Sequence, residues 1–133
     1  MLETTYIILY SLTIIMNIIS GSKIKNYLKK VSKLNSQESM NQFKGVVRRD
    51  MYLALVQMSL IIPQVILGIF MIIRYKLSGL MVVLLANAII IGVAIKYGVY
   101  GKKMRNLPSE SAELENEHQR ISKIWKEKTL PDF

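Results

Sequence analysis

Apolar residues in this chain are gathered into three blocks, and nearly all charges lie between and after them. The first block is Leu2 to Ser20, the second Met51 to Ile73, the third Leu77 to about Ile95. A soluble domain of this size scatters its apolar residues periodically. Segregation into blocks of about 20 is what hydrocarbon requires of a helix that crosses it. At 1.5 Å per residue the second block covers about 34 Å, enough to cross with some tilt. Pro63 lies near its middle, where a membrane helix is expected to kink. Little more than Arg74-Tyr75-Lys76 joins the second block to the third, and so short a link demands an antiparallel hairpin. The expected fold class is an all-α membrane protein with three transmembrane helices.

Positive charge sets the expected orientation. The segment from Gly21 to Asp50 holds Lys23, Lys25, Lys29, Lys30, Lys33, Lys44, Arg48 and Arg49, whereas the hairpin link holds only Arg74 and Lys76. After the third block come Lys102, Lys103 and Arg105. Lys and Arg are retained on the cytoplasmic side, so the N-terminus is expected outside and the C-terminus in the cytoplasm. The organisation is then a first span over 1–20, a basic cytoplasmic helical segment over 21–50, a membrane hairpin over 51–98 and a cytoplasmic tail over 99–133. The first block differs from a signal peptide, because Glu3 stands where a basic region belongs and no small-x-small cleavage site follows.

Eighteen Lys and Arg against nine Asp and Glu give a net charge of +9. Basic flanks of membrane helices account for this excess, and no nucleic-acid partner is expected. Lys25, Lys29, Lys30, Arg48, Arg49 and Lys96 are the candidate contacts to anionic lipid headgroups. Lys96 is expected to snorkel from the end of its span, and Tyr75, Tyr97 and Tyr100 to anchor at the interfaces. With no cysteine and a single histidine, His118, no cysteine-ligated metal, iron–sulfur cluster or disulfide framework is expected. No paired carboxylates, nucleophile–base pair or glycine-rich phosphate loop stands out, so neither catalysis nor a cofactor is expected.

The first block carries the most informative pattern. At alternating spacings of three and four, Glu3, Tyr6, Tyr10, Thr13, Asn17 and Ser20 fall on one stripe, and the other positions are mostly Ile, Leu and Met. In lipid, polar and small residues mark a face that meets protein. The same spacing continued past the membrane reads Ile24, Tyr27, Val31 and Leu34. The stripe turns apolar where the surroundings turn aqueous, as one continuous packed face requires. These spacings predict a single helix from Leu2 to about Leu34, with any bend at Gly21-Ser22.

In the tail, Ser109 or Ser111 is the expected N-cap of a helix running to about Lys128, with Glu110 and Glu113 favoured by the helix dipole. Its stripe of Leu114, His118, Ile121 and Trp125 is expected to pack against Ile24, Tyr27, Val31 and Leu34, within one chain or between subunits. His118 then belongs to a seam and not to a metal site. In the hairpin, Gln57 and Gln64 mark one face of the second span. Asn87 marks the third, with Ala88 and Gly92 four apart beside it.

Two functional classes follow. The first is an accessory or assembly subunit joined to a larger membrane complex by helix–helix contacts. The second is a homo-oligomeric channel or transporter, in which Thr13, Asn17, Gln57, Gln64 and Asn87 would face water. No acid or base lies near the middle of a span, as a selective ion path would normally require. The polar residues therefore read first as interhelical hydrogen-bonding groups. Other membrane subunits or further copies of the chain are the expected protein partners.

Overall fold

The computed structural model describes Met1–Phe133 as an all-helical chain of three helices, α1 (Leu2–Lys30), α2 (Gln37–Arg105) and α3 (Ala112–Glu127). Two of them, α1 and α2, are long and apolar enough to cross a membrane by length and composition.

Helix α2 doubles back on itself. Its only non-helical residue is Lys76, at φ 51° and ψ −121°. Positions 71 and 79 would be about 12 Å apart along a straight helix. Instead a Cβ added to Gly79 would collide with the Met71 carbonyl. Further on, a Cβ at Gly68 would touch Val83 at 3.7 Å. The arms 37–75 and 77–105 therefore run antiparallel, joined by a reversal of one residue. Lys76 occupies a region that glycine prefers, a strain on the order of 1–3 kcal/mol. Pro63 sits inside the first arm without any departure from helical dihedrals there.

Helix α1 packs along both arms. Its buried residues are Tyr6, Tyr10, Thr13, Met16, Gly21, Ile24 and Tyr27. At Gly21 the second arm comes so close that a Cβ would overlap Tyr97. Glycine is needed here for the approach, and α1 runs through Gly21-Ser22 unbroken.

Contrary to the expected helix to Leu34, α1 ends at Lys30, and Val31 is extended. The segment Val31-Ser32-Lys33-Leu34-Asn35-Ser36 combines a β-branched residue with side chains that compete for backbone hydrogen bonds, so it holds helix poorly. Leu34 still reaches the core, fully buried, by a different route. Its N–H donates to the Pro108 carbonyl at 2.8 Å, and its carbonyl accepts from Glu110 N–H at 2.9 Å. The connectors 31–36 and 106–111 are thereby tied together. Ser36 then opens α2 with a capping box, exchanging bonds with Ser39 at 3.2 Å in both directions.

At the end away from the Lys76 turn, the helices form a head with an apolar core of eleven residues. Ile24 and Tyr27 come from α1, and Leu34 from the connector. Met40, Phe43, Val47 and Met51 come from the start of α2, and Met104 and Leu107 from its end. Leu114 and Ile121 come from α3. Within the chain, α3 and α1 do not approach each other backbone to backbone, although their buried residues share one core. Phe43 stands between them, its ring 6.5 Å from Tyr27 and 4.9 Å from His118. Ser111, not Ser109, caps α3, accepting from Leu114 N–H at 3.2 Å.

Candidate functional site

Three polar contacts fasten α1 to the first arm at three depths. Near the Lys76 turn, the Tyr75 hydroxyl donates to the Glu3 carboxylate. Midway, the Gln64 amide donates to Thr13 Oγ1 and, at 3.1 Å, to the Leu9 carbonyl. Next to the head, the Ser20 hydroxyl donates to Asp50 Oδ1. The rings of Tyr6 and Tyr10 meet tilted at 42°, 4.5 Å between centroids, beside Met71. Asn17 donates to the Thr13 carbonyl of its own helix at 2.9 Å. The spacing of three and four thus brings Tyr6, Tyr10, Thr13, Asn17 and Gln64 onto one seam.

Asp50 is where all three helices meet. Its Oδ1 takes the Ser20 bond from α1, and its Oδ2 accepts from the Trp125 indole N–H of α3 at 2.7 Å. A face of the indole is covered by the Arg105 guanidinium, 5.2 Å from the ring centroid. Beside this cluster a cleft of about 290 Å³ runs between α1 and the two arms. Asn17 and Ser20 line it from α1, Asp50 and Gln57 from the first arm, Tyr97 and Arg105 from the second, and Trp125 closes one end. Leu53, Ala54, Ala94 and Gly98 supply apolar and small lining.

The head is electrostatically knit on its outer side. Lys44 and Glu117 form an ion pair between α2 and α3, and the Lys44 ammonium holds the Glu117 carboxyl below its ordinary range. Burial pushes the Tyr27 hydroxyl up to about 12, and it donates to the Ser39 carbonyl at 3.2 Å. His118 is buried, with Nε2 3.1 Å from the Met104 carbonyl. A carbonyl only accepts, so Nε2 carries the proton.

The remaining sequence candidates fall into three groups. Ile24, Tyr27, Leu34, Leu114 and Ile121 are core members, with Val31 and Trp125 packed against them. Lys25, Lys29, Lys30, Arg48, Arg49 and Lys96 are all exposed. Lys25 lies 5.6 Å from the Tyr100 ring and Lys96 lies 5.8 Å from the Tyr97 ring. Asn87, Ala88 and Gly92 are not on the inward side of the second arm. They are exposed, while Gly79, Val83, Ala86, Ile90, Val93 and Tyr97 turn inward at spacings of three and four. The inner face is therefore set one residue away from the expected one. Val, Ile and Ala are equally at home against lipid and against another helix, so residue type alone did not identify it.

Two groups were missed in the sequence. Met40, Phe43, Val47 and Met51 carry a helical spacing of three, four and four, but within a segment dominated by charge. Arg105 was read only as a topology charge, and nothing local indicates that it meets Trp125. No known protein family, curated protein or solved structure matches this chain.

Proposed function

We propose that the chain is a three-span, non-enzymatic integral membrane protein, with its N-terminus outside and its head in the cytoplasm. In this reading it serves as an accessory or assembly subunit of a larger membrane complex. The arms of α2 form the second and third spans, and the basic residues surround the head. Exposed Lys25, Lys29, Lys30, Arg48, Arg49 and Lys96 meet anionic headgroups.

The observation that carries the subunit reading is the exposed face of the second arm. Asn87 lies there with its amide bonded only to the Val83 carbonyl of its own helix, at 2.8 Å. Ala88 and Gly92 flank it, and a Cβ added to Gly92 would meet nothing within 4 Å. A polar residue beside small residues four apart is a favourable surface for another membrane helix. The alternative is a homo-oligomeric channel or transporter, which requires several copies to enclose a path. Against it, Thr13 and Gln64 are buried against each other and present no surface to water.

Native mass spectrometry of the protein extracted in mild detergent tests the assignment. We expect a particle containing other polypeptides, which Asn87→Leu depletes. One polypeptide repeated several times supports the channel or transporter instead, and a lone chain overturns both. Because the chain lacks cysteine, single introduced thiols report orientation. Thr4→Cys should label from outside, and Thr129→Cys only after the membrane is opened.

A further inference from the structure

The cleft beside Asp50 holds an acid and a base, neither of which has an ionic partner. The ion pairs of the chain are Met1–Glu3, Lys33–Glu110, Lys44–Glu117 and Lys128–Asp132, and include neither Asp50 nor Arg105. Asp50 is half-buried, and both its bonds come from neutral donors, the Ser20 hydroxyl and the Trp125 indole. Arg105 is half-buried against the indole face and donates no hydrogen bond to any group of the chain. The indole touches both, with its N–H on the acid and its ring face against the base. Withdrawing two charges from water is costly unless each is compensated. A guest bearing an anion for Arg105 and a hydrogen-bond donor for Asp50 would compensate both.

The rest of the cleft narrows the chemistry. Gln57 and Asn17 add amides at the side, while Leu53, Ala54 and Ala94 line it with apolar surface. Ala94 and Gly98 are exposed, so the cleft opens on the outer surface of the helices. At about 290 Å³ it lies at the small end of ligand cavities. The Lys and Arg residues of 21–50 and 102–105, which mark the cytoplasmic headgroup level in the membrane reading, are neighbours in the chain of the lining residues Ile24, Asp50 and Gly101.

We propose that this cleft binds the headgroup of a membrane phospholipid that carries a terminal hydrogen-bond donor. The phosphate rests on Arg105, and the terminal ammonium of phosphatidylethanolamine or hydroxyl of phosphatidylglycerol rests on Asp50. The acyl chains leave past Ala94 and Gly98 along the exposed apolar faces of the arms. Arginine suits the phosphate through its planar set of donors, and a charge-assisted bond to a carboxylate is among the stronger ones available. Phosphatidylcholine has no terminal donor, and phosphatidic acid has no terminal group at all. Neither can satisfy Asp50. The site rests on the membrane placement and not on the subunit role.

The full chain is reconstituted into phosphatidylcholine vesicles containing equal small shares of phosphatidylethanolamine, phosphatidylglycerol and phosphatidic acid. It is then extracted in mild detergent, and the retained lipids are read by native mass spectrometry. We expect the two donor-bearing lipids to be retained about tenfold more than phosphatidylcholine and phosphatidic acid, each relative to its share. Asp50→Asn, which keeps one acceptor oxygen for the Trp125 indole and turns an amide donor to the Ser20 hydroxyl, should abolish the preference, and Arg105→Gln should remove retention altogether. Gly98→Leu should close the cleft without disturbing the fold, since a Cβ there meets nothing within 4 Å.

Equal retention of all four lipids, or unchanged retention in Gly98→Leu with native helicity, overturns the proposal. Displacement of the lipid by soluble phosphoethanolamine or glycerol phosphate at matching concentration also overturns it, in favour of a free small molecule. Resistance to alkaline extraction separates the two levels. A chain stripped from the vesicles overturns the membrane placement, and a resistant chain without lipid preference overturns the site alone.

Discussion

The span region and the head are held together in opposite ways. In the head, eleven buried apolar residues from all three helices and a connector form one core. Leu34, Met40, Phe43, Val47, Met104 and Ile121 are all at 0% exposure. Along the arms, Ile61, Ile62, Ile73, Leu77, Leu85 and Ile95 stand exposed on the outer faces. The contacts there are polar fastenings, close approaches at glycine and one small apolar cluster of Tyr6, Tyr10 and Met71. In the proposed membrane placement, the difference follows from the solvent around each region. Water drives apolar side chains inward at about 25 cal/mol per Å². Hydrocarbon offers no such drive, and leaves packing and hydrogen bonds to select the partner face.

Substitutions should break this contrast unequally. The largest effect is expected from Phe43→Ala. Removing a fully buried aromatic costs about 3–5 kcal/mol, and this one separates Tyr27 from His118. Hydrogen exchange should rise throughout α3 while the helices of the arms stay protected. Equal loss of protection in both regions would show that they do not fold as separate units.

Alkali should open the same region. The folded state keeps the Tyr27 hydroxyl neutral up to about 12, against an ordinary value of 10.0. That contribution is complete below 10 and is lost as pH rises towards 12. Head stability, followed by Trp125 fluorescence during denaturant unfolding, should fall across this interval. In Tyr27→Phe the baseline is lower, through loss of the bond to Ser39, and the fall across the interval is smaller. A wild-type head indifferent to alkali would remove Tyr27 as its cause.

Smallest of all should be Gln64→Leu, which removes the middle fastening of α1. Hydrogen bonds between membrane helices average about 0.6 kcal/mol. Thermal unfolding in detergent should shift by only a few degrees. A loss comparable to Phe43→Ala would mean that the arms depend on polar contacts far more than their chemistry implies.

The sequence discloses these regions unevenly for the same reason. The inward stripe of α1 was legible because polar residues in an otherwise Ile- and Leu-rich helix have one good place to go. The inward face of the second arm was not, because Val83, Ala86, Ile90 and Val93 look no different from residues that meet lipid. Leu34 was placed in the core correctly but for the wrong reason. The helical spacing carried to it, while the chain reaches it by leaving the helix. The place of Phe43 beside His118 is not legible in the sequence, because Phe43 and its neighbours lie among charges. As for the cleft, Asp50 and Arg105 stand far apart in the chain, and only the return of α2 brings them to the same indole.

The head core draws on residues 24–51 and 104–121, and the whole hairpin lies between those stretches. In the membrane reading, Phe43 can meet His118 only after the chain has crossed, reversed at Lys76 and come back. A hairpin left half inserted would strand Met104 and α3 on the far side, and the head would stay open to any protease in the cytoplasm. In that reading, closure of the head is a record of a completed round trip of the hairpin.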